Sequence, residues 1–339
     1  MSDAGGALKV LSVVGAGRSG TTVLASLLDE VDGVTSAGEL RWLWERGVRD
    51  RRPCGCGRAP EECPVWGPVV TGSREHLTTL APPRTVDDLI AAQHALKRPS
   101  AFPRVLRTVT DAGAGDGADQ GAGDGADDGA GLTDLALVQG AMAGACRALA
   151  HTTGASVVVD ISKRPLDAAV LAGVPDLDTY VLHVVRDPRA VVHSWRRAKT
   201  FSAAGEVRTM GTRGLASSVR RWTGNALFAE ALRRRYPPER WLHLRYEDFA
   251  ARPRATTEQV LDFLGVRAAT SFTDARTARL RPNHIVAGNP SRFTTGDVTI
   301  RQDDAWTREM PRRDQRVVVG LTLPLLYRYR YLGPRAEGS

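Results

Sequence analysis

The residues best suited to chemistry open near the N-terminus of this 339-residue chain, in Gly15-Ala16-Gly17-Arg18-Ser19-Gly20-Thr21-Thr22. An apolar run, Leu8–Val14, precedes them, and Thr22–Leu28 follows with apolar residues at helical spacing, so the segment reads as strand, loop, helix. In such a turn the backbone N–H groups and the positive end of the helix dipole face one place, which suits an anion. The spacing from Gly15 to Gly20 matches the phosphate loop of nucleotide hydrolases, but Thr21 stands where that loop has the lysine that reaches the β- and γ-phosphates. The cation here is Arg18, inside the loop, with the hydroxyls of Ser19, Thr21 and Thr22 beside it. The same glycines also satisfy Gly-x-Gly-x-x-Gly, the dinucleotide pattern. Against that reading, Glu39 falls in a glycine-containing loop and not at the end of a second strand in a clean βαβ unit. A glycine-rich turn with no ligand is the bland alternative.

A second candidate anchor is Val184-Val185-Arg186-Asp187-Pro188-Arg189-Ala190-Val191-Val192-His193-Ser194-Trp195. A strand ends at Arg186, Asp187 is a good helix N-cap, Pro188 suits the first helical position, and Ser194 falls about two turns further on. Taken alone, Arg186 reads equally well as a structural cap on the sheet. With the first loop it gives two basic groups at the C-terminal ends of apolar strands, the edge where open α/β sheets bind ligands. Asp160, closing the run Ser156–Asp160, could instead hold magnesium for a kinase. Cys54, Cys56 and Cys63 cluster, and His76 could complete a zinc site, although the spacing is irregular for one.

These motifs resemble those of the sulfotransferase superfamily, and in particular its bacterial members. The family's 5′-phosphosulfate loop reads Arg-Ser-Gly-Thr-Thr after a first strand, as do Arg18 to Thr22. Its 3′-phosphate motif has an arginine at a strand end and a serine eight residues later, as do Arg186 and Ser194. Arg245-Tyr246-Glu247-Asp248 looks like another family strand end, where the tyrosine contacts the nucleotide. His284–Phe293 resembles the late loop that closes over the donor through Gly288, Asn289 and Arg292. The resemblance implies 3′-phosphoadenosine 5′-phosphosulfate as co-substrate, held by Gly17, Arg18, Ser19, Gly20, Thr21, Thr22, Arg186, Ser194, Tyr246, Gly288, Asn289 and Arg292. It implies no required metal and a hydroxyl-bearing small molecule, lipid or carbohydrate as acceptor. Glu39 matches the glutamate region that several family members place beside the acceptor, and is the implied general base, with His183, His193 and His284 as alternatives. Lys163, in Asp160-Ile161-Ser162-Lys163, faces the sulfuryl group by the same resemblance. The cysteine cluster is similar to a loop element of bacterial relatives near the acceptor site, with the character of a redox-sensitive pair.

Sulfuryl transfer is an in-line displacement in which negative charge develops on the leaving bridging oxygen, so positioning and charge stabilisation carry most of the rate. Arg18 is placed to stabilise that charge; a guanidinium does not donate its proton at ordinary pH, so Arg18 is no general acid. A P-loop kinase of a small alcohol and a non-catalytic nucleotide-binding protein are the competing readings.

The elements that must position these groups are those of an α/β, P-loop-like three-layer fold, with a central, mostly parallel sheet flanked by helices. Further strands are expected at 180–185 and 241–244, and helices near 132–151, 188–198, 215–236, 256–264 and 313–327. A single domain over residues 1–335 accommodates them. It is interrupted at 111–131 by an insertion of Gly, Ala and Asp too poor in apolar surface to order itself. The formal charge of +8 includes six aspartates from that insertion, which leaves +14 on the rest of the chain. A basic body suits anionic ligands, while the absence of any zinc finger, RNA-recognition signature or arginine-rich arm points away from nucleic acid. The N-terminal apolar run is too short for a membrane span or signal sequence, and the cysteines do not form a secreted disulfide framework, so the cytoplasm is expected. Neither the acceptor's identity nor the oligomeric state is legible.

Overall fold

A computed structural model describes residues 7–98, 100–109, 129–197, 199–203 and 206–332; residues 111–128 of the expected insertion lie outside this set. In chain order the elements begin with β1 (Leu8–Gly15), α1 (Thr21–Asp29) and β2 (Val34–Gly38), followed by a π-helical turn at Leu43–Arg49. Four helices then run in succession, α2 (Trp66–Thr79), α3 (Val86–Ala95), α4 (Ala101–Arg107) and α5 (Gly129–Thr153). The core alternation resumes with β3 (Val157–Lys163), α6 (Pro165–Ala172), β4 (Leu177–Val185) and α7 (Pro188–Arg196). An antiparallel pair, β5 (Lys199–Ala203) and β6 (Glu206–Met210), leads to α8 (Leu215–Arg233), β7 (Trp241–Arg245), α9 (Tyr246–Ala251) and α10 (Pro253–Phe263). The chain closes with β8 (Thr277–Leu280), β9 (Gly296–Thr299), α11 (Trp306–Glu309) and α12 (Arg312–Arg328). Helix α5 begins at Gly129, so the last three residues assigned to the insertion belong to a helix.

Five strands form one parallel sheet in the order β2-β3-β1-β4-β7. Strand β1 is Val- and Leu-rich because both its faces are covered. Val10 and Val14 pack into the core shared with α5 and α6, whereas Leu11 and Val13 pack with α1 and α10 on the other side. This alternation of period two makes the three layers. The register brings the C-terminal ends of the strands to one edge: Gly15 lies opposite Val184, Val14 opposite Lys163, Gly38 opposite Asp160 and Val185 opposite Arg245. The expected site segments that follow β1, β2, β3, β4 and β7 therefore leave the sheet on the same side.

Strand β2 corrects the sequence reading, which put Glu39 in a loop with no second strand before it. Val34-Thr35-Ser36-Ala37-Gly38 is fully buried, yet it contains one large apolar residue, so no hydrophobic run announces it. Its backbone partners supply the stability, with the Asp29 carboxylate accepting from the Ser36 N–H at 2.7 Å. Glu39 does follow a strand, but β2 pairs with β3 and not with β1. A dinucleotide fold needs its second strand beside the first, so that reading of the glycines is removed by topology. Among the described residues no helix is long and apolar enough to cross a membrane.

Gly38 sits at φ +75°, and a Cβ there would lie 2.2 Å from the Val286 carbonyl oxygen. Gly38→Ala should thus cost about 2–4 kcal/mol, read as a lowered urea midpoint at unchanged m-value.

Candidate active site

The turn after β1 is held in an uncommon conformation. Gly15, Arg18 and Gly20 all have positive φ, at 146°, 73° and 73°, and only the glycines tolerate this without strain. Arg18 is locked there from across the sheet edge, where Arg186 Nη1 donates to the Arg18 carbonyl at 2.6 Å. The Arg18 side chain is buried with its guanidinium 4.6 Å from the centre of the Trp195 ring. Its Nε, Nη1 and Nη2 have no acceptor among the described residues. Burial, and then the charge of Arg186, push its pKa down. A buried cation with three unsatisfied nitrogens and a like charge nearby is costly, and an anion in the turn would relieve all of these terms together.

The turn forms one wall of a cavity of about 730 Å³, within the range of small-molecule sites. Gly17, Arg18, Gly20, Thr21, Thr22, Arg186, Ser194, Tyr246, Gly288, Asn289 and Glu39 all line it. Two expected residues do not. The Ser19 hydroxyl is buried without a hydrogen-bond partner among the described residues. Arg292 turns away from the cavity, donating to the carbonyls of Gly288 in its own loop at 3.3 Å and of Pro53 beside the cysteine segment at 3.2 Å. It braces the loop that carries Gly288 and Asn289.

Arg186 lies at the end of β4, 4.3 Å above the Tyr246 ring, and donates through Nη2 to the Asp303 carbonyl at 2.9 Å, with the Asp303 carboxylate at 3.2 Å. The Tyr246 hydroxyl accepts from the Asp303 N–H at 3.3 Å. Helix α7 starts as its sequence requires, with Asp187 accepting from the Arg189 N–H at 2.8 Å and Pro188 in the first turn, and it carries Ser194 into the cavity wall.

On the opposite wall Glu39, at the end of β2, is hydrogen-bonded to Lys163 at the end of β3. Both side chains are mostly buried, and the pairing aims them into the cavity. Gly288, at φ +99°, lets the late loop approach Thr22 and Glu39, and the Asn289 N–H donates to Thr22 Oγ1 at 3.3 Å. The histidine alternatives lie outside the lining. His183 is buried in an aromatic cluster with Trp241, His243 and Tyr329, and desolvation pushes its pKa well down. His193 bonds Glu309 at 3.1 Å, and His284 contacts Cys63 at the same distance. Glu39 is left as the candidate base.

Asp160 does not face the cavity either. It is buried, and its Oδ1 accepts from the Leu40 N–H at 3.2 Å, the Ser162 N–H at 3.0 Å and the Ser162 hydroxyl at 2.6 Å. Those bonds anchor the residue that follows Glu39, so Asp160 positions the site from behind and lies outside the cavity lining.

The sequence reading passed over four lining residues of α8. Ser218, Arg221, Trp222 and Asn225 are spaced i, i+3, i+4 and i+7, so one face of the helix meets the cavity. Asn225 Nδ2 donates to the carbonyls of Gly15 and Lys163, both at 3.0 Å, and Trp222 Nε1 to the Arg186 carbonyl at 3.0 Å. This helix thereby ties three strand ends together. Its signal was a polar group recurring at helical spacing, hidden among many surface arginines.

A family model described as "Sulfotransferase family" matches residues 141–270, the stretch that carries Lys163, Arg186, Ser194, Asn225 and Tyr246. Over this stretch the chain is similar to that family. No curated protein matches the chain. Among solved structures, the sulfotransferase domain of the curacin biosynthetic pathway aligns at 15% identity, covering 96% of this chain and 98% of that one, with a TM-score of 0.45. The sulfotransferase STF9 of Mycobacterium avium aligns at 13% identity over 99% of this chain and 79% of that one, with a TM-score of 0.46. A sulfotransferase from Alicyclobacillus acidocaldarius gives 13% identity, 95% and 94% coverage and a TM-score of 0.40. The sulfotransferase match begins after the donor loop and Glu39, which stand on their own geometry.

Burial raises the Asp160 pKa to about 7, against a carboxyl value near 3.8 in the unfolded chain. The folded chain then binds a proton that the unfolded chain releases, so this group's stabilisation is present below pH 4 and is lost as pH rises through 7. Asp160→Asn keeps an acceptor oxygen and removes that titration. The melting temperature of the variant relative to wild type should rise between pH 5 and pH 8, as measured by calorimetry at both pH values.

Proposed function

We propose that this protein is a cytoplasmic enzyme that moves a sulfuryl group from 3′-phosphoadenosine 5′-phosphosulfate to a hydroxyl of a small-molecule, lipid or carbohydrate acceptor. The observation that carries the reading is the buried guanidinium of Arg18, without a hydrogen-bond acceptor among the described residues, on the wall of the cavity beside the strand ends that hold Arg186 and the Glu39–Lys163 pair. When bound, the donor supplies the sulfuryl group and a bisphosphate leaving group.

The chain's own residues divide the work. The N-terminus of α1, with Gly17, Gly20, Thr21 and Thr22, presents backbone N–H groups and hydroxyls to a 5′-phosphate. Arg18, shielded from water and backed by Trp195, adds a fixed positive charge where negative charge develops on the bridging oxygen. Arg186 and Ser194 hold the 3′-phosphate, and Tyr246 supports Arg186 from below. Lys163 neutralises the sulfuryl oxygens and in doing so releases Glu39 to take the acceptor's hydroxyl proton. Beyond the donor residues, Arg41, Arg46 and Lys97 surround the Trp42 ring at 4.1, 3.7 and 4.9 Å, and all four line the cavity. This cluster favours an acceptor with an anionic group beside a flat or apolar portion. The kinase alternative loses its best support, since Asp160 is committed to backbone N–H groups and Thr21 replaces the phosphate-binding lysine.

Assayed by release of adenosine 3′,5′-bisphosphate in the presence of acceptor alcohols, wild type should turn over. Glu39→Gln should lower kcat by about 10²–10⁴-fold with bisphosphate affinity changed less than about threefold. Turnover in the Gln variant equal to wild type would remove Glu39 as base, and no turnover with any acceptor would leave only nucleotide binding. Asp303→Asn should tighten bisphosphate binding by about 3- to 10-fold, because the carboxylate at Arg186 competes with a phosphate for the same cation.

A further inference from the structure

The four potential soft ligands that the donor site does not use come together at one point. Cys54, Cys56, Cys63 and His284 each turn a ligand atom inward, and all four atoms lie within 4.8 Å of one another. The Cys54 and Cys63 sulfurs are 3.6 Å apart, those of Cys56 and Cys63 3.7 Å, and His284 Nδ1 is 3.1 Å from the Cys63 sulfur. Four ligands placed tetrahedrally around zinc at about 2.3 Å have sulfurs about 3.8 Å apart, so the 3.6 and 3.7 Å sulfur pairs match a centre already gathered around one point. The third pair, Cys54 and Cys56, is closer, at 2.9 Å, well outside bonding distance for a disulfide, and all four cysteines of the chain are free.

We propose that Cys54, Cys56, Cys63 and His284 bind one zinc ion in a closed, structural site. His76, the fourth ligand suggested by sequence distance, lies elsewhere, in the lining of a separate cavity with Trp44 and Leu77. The donor set is three sulfurs and one imidazole nitrogen with no carboxylate, which selects a thiophilic tetrahedral cation over magnesium or calcium. The turn Cys54-Gly55-Cys56-Gly57 is tight because Gly57 has φ +85° and a Cβ at Gly55 would strike the Asn283 side chain. Binding converts three thiols to thiolates, with the protons released to solvent and the imidazole neutral.

The ion would staple two segments more than two hundred residues apart. The Gly55 N–H donates to the Ile285 carbonyl at 3.0 Å and Trp66 Nε1 to the His284 carbonyl at 2.6 Å, so the seam already exists in hydrogen bonds. From His284 the chain runs directly to Val286, whose carbonyl accepts from the Glu39 N–H at 2.8 Å, and on to Gly288 and Asn289 at the donor loop. A zinc at this seam fixes the loop that seats both Glu39 and Thr22. It is a positioning device, remote from the sulfuryl group, and it leaves the transfer itself metal-free.

The test is metal analysis of the untagged full chain purified without chelator. The expected result is one zinc per chain, with cobalt substitution giving a cysteine-to-metal charge-transfer band and the visible bands of a tetrahedral ion. Cys63→Ser should lose both, whereas His76→Ala and Cys146→Ala should keep them. Should Cys63→Ser fail to fold, the wild-type stoichiometry and cobalt spectrum decide alone. Metal-free wild type with three promptly reactive thiols, a disulfide joining Cys54 to Cys56, or loss of metal in His76→Ala would each overturn the site. Metal content does not depend on the donor, so either result stands apart from the sulfotransferase reading.

Discussion

Arg186 reaches from the end of β4 to the carbonyl of Arg18, and this 2.6 Å hydrogen bond joins the two candidate anion-binding elements of the molecule. Without it Arg18 has no reason to hold φ at 73°, a conformation that a non-glycine residue adopts at a cost of about 1 kcal/mol or more. With it, the Arg18 side chain is driven inward over Trp195, buried and short of acceptors. Two guanidinium groups that repel one another are thus held near one cavity, Arg18 by the Trp195 ring and Arg186 by the Tyr246 ring, two backbone carbonyls and the Asp303 carboxylate. The sheet makes this arrangement possible, because β1 and β4 are adjacent and in register, with Gly15 opposite Val184.

The rest of the site is arranged around that constraint. Helix α8 supplies Asn225 and Trp222 to the strand-end carbonyls that would otherwise be left unsatisfied next to the charges. Asp160 and Ser162 take up the backbone N–H groups beyond Glu39, and Lys163 pairs with Glu39 itself. Among the described cavity-lining residues there are nine lysines and arginines against two carboxylates. A pocket so strongly of one sign is poorly suited to a neutral substrate and well suited to a polyanion. A large share of the chain's excess positive charge is gathered at this cavity.

What could be read from the sequence was what is determined locally. The loop at Gly15–Thr22 and the Asp187-Pro188 helix start are written in residues whose backbone preferences are strong, and both adopt the expected structure. The parallel strands β1, β3, β4 and β7 were visible because burial on both faces demands continuous apolar runs. Strand β2 was not visible, since Thr35, Ser36 and Ala37 are held by sheet pairing and not by their own hydrophobicity. The cluster partner of the cysteines was missed for a similar reason. His284 lies 221 residues from Cys63 and is brought there by the late loop, whereas His76 was near only along the chain. Arg292 was expected at the donor, and its burial against Pro53 and Gly288 is a property of loop packing that no spacing could convey.

Calorimetric titration of the wild-type chain tests most directly whether Arg18 and Arg186 together read a nucleotide phosphorylated at both the 5′ and 3′ positions. Adenosine 3′,5′-bisphosphate should bind at least about tenfold more tightly than adenosine 5′-monophosphate, with no change on adding magnesium. Equal affinity for the two nucleotides, or preference for ATP with magnesium over the bisphosphate, would contradict the account.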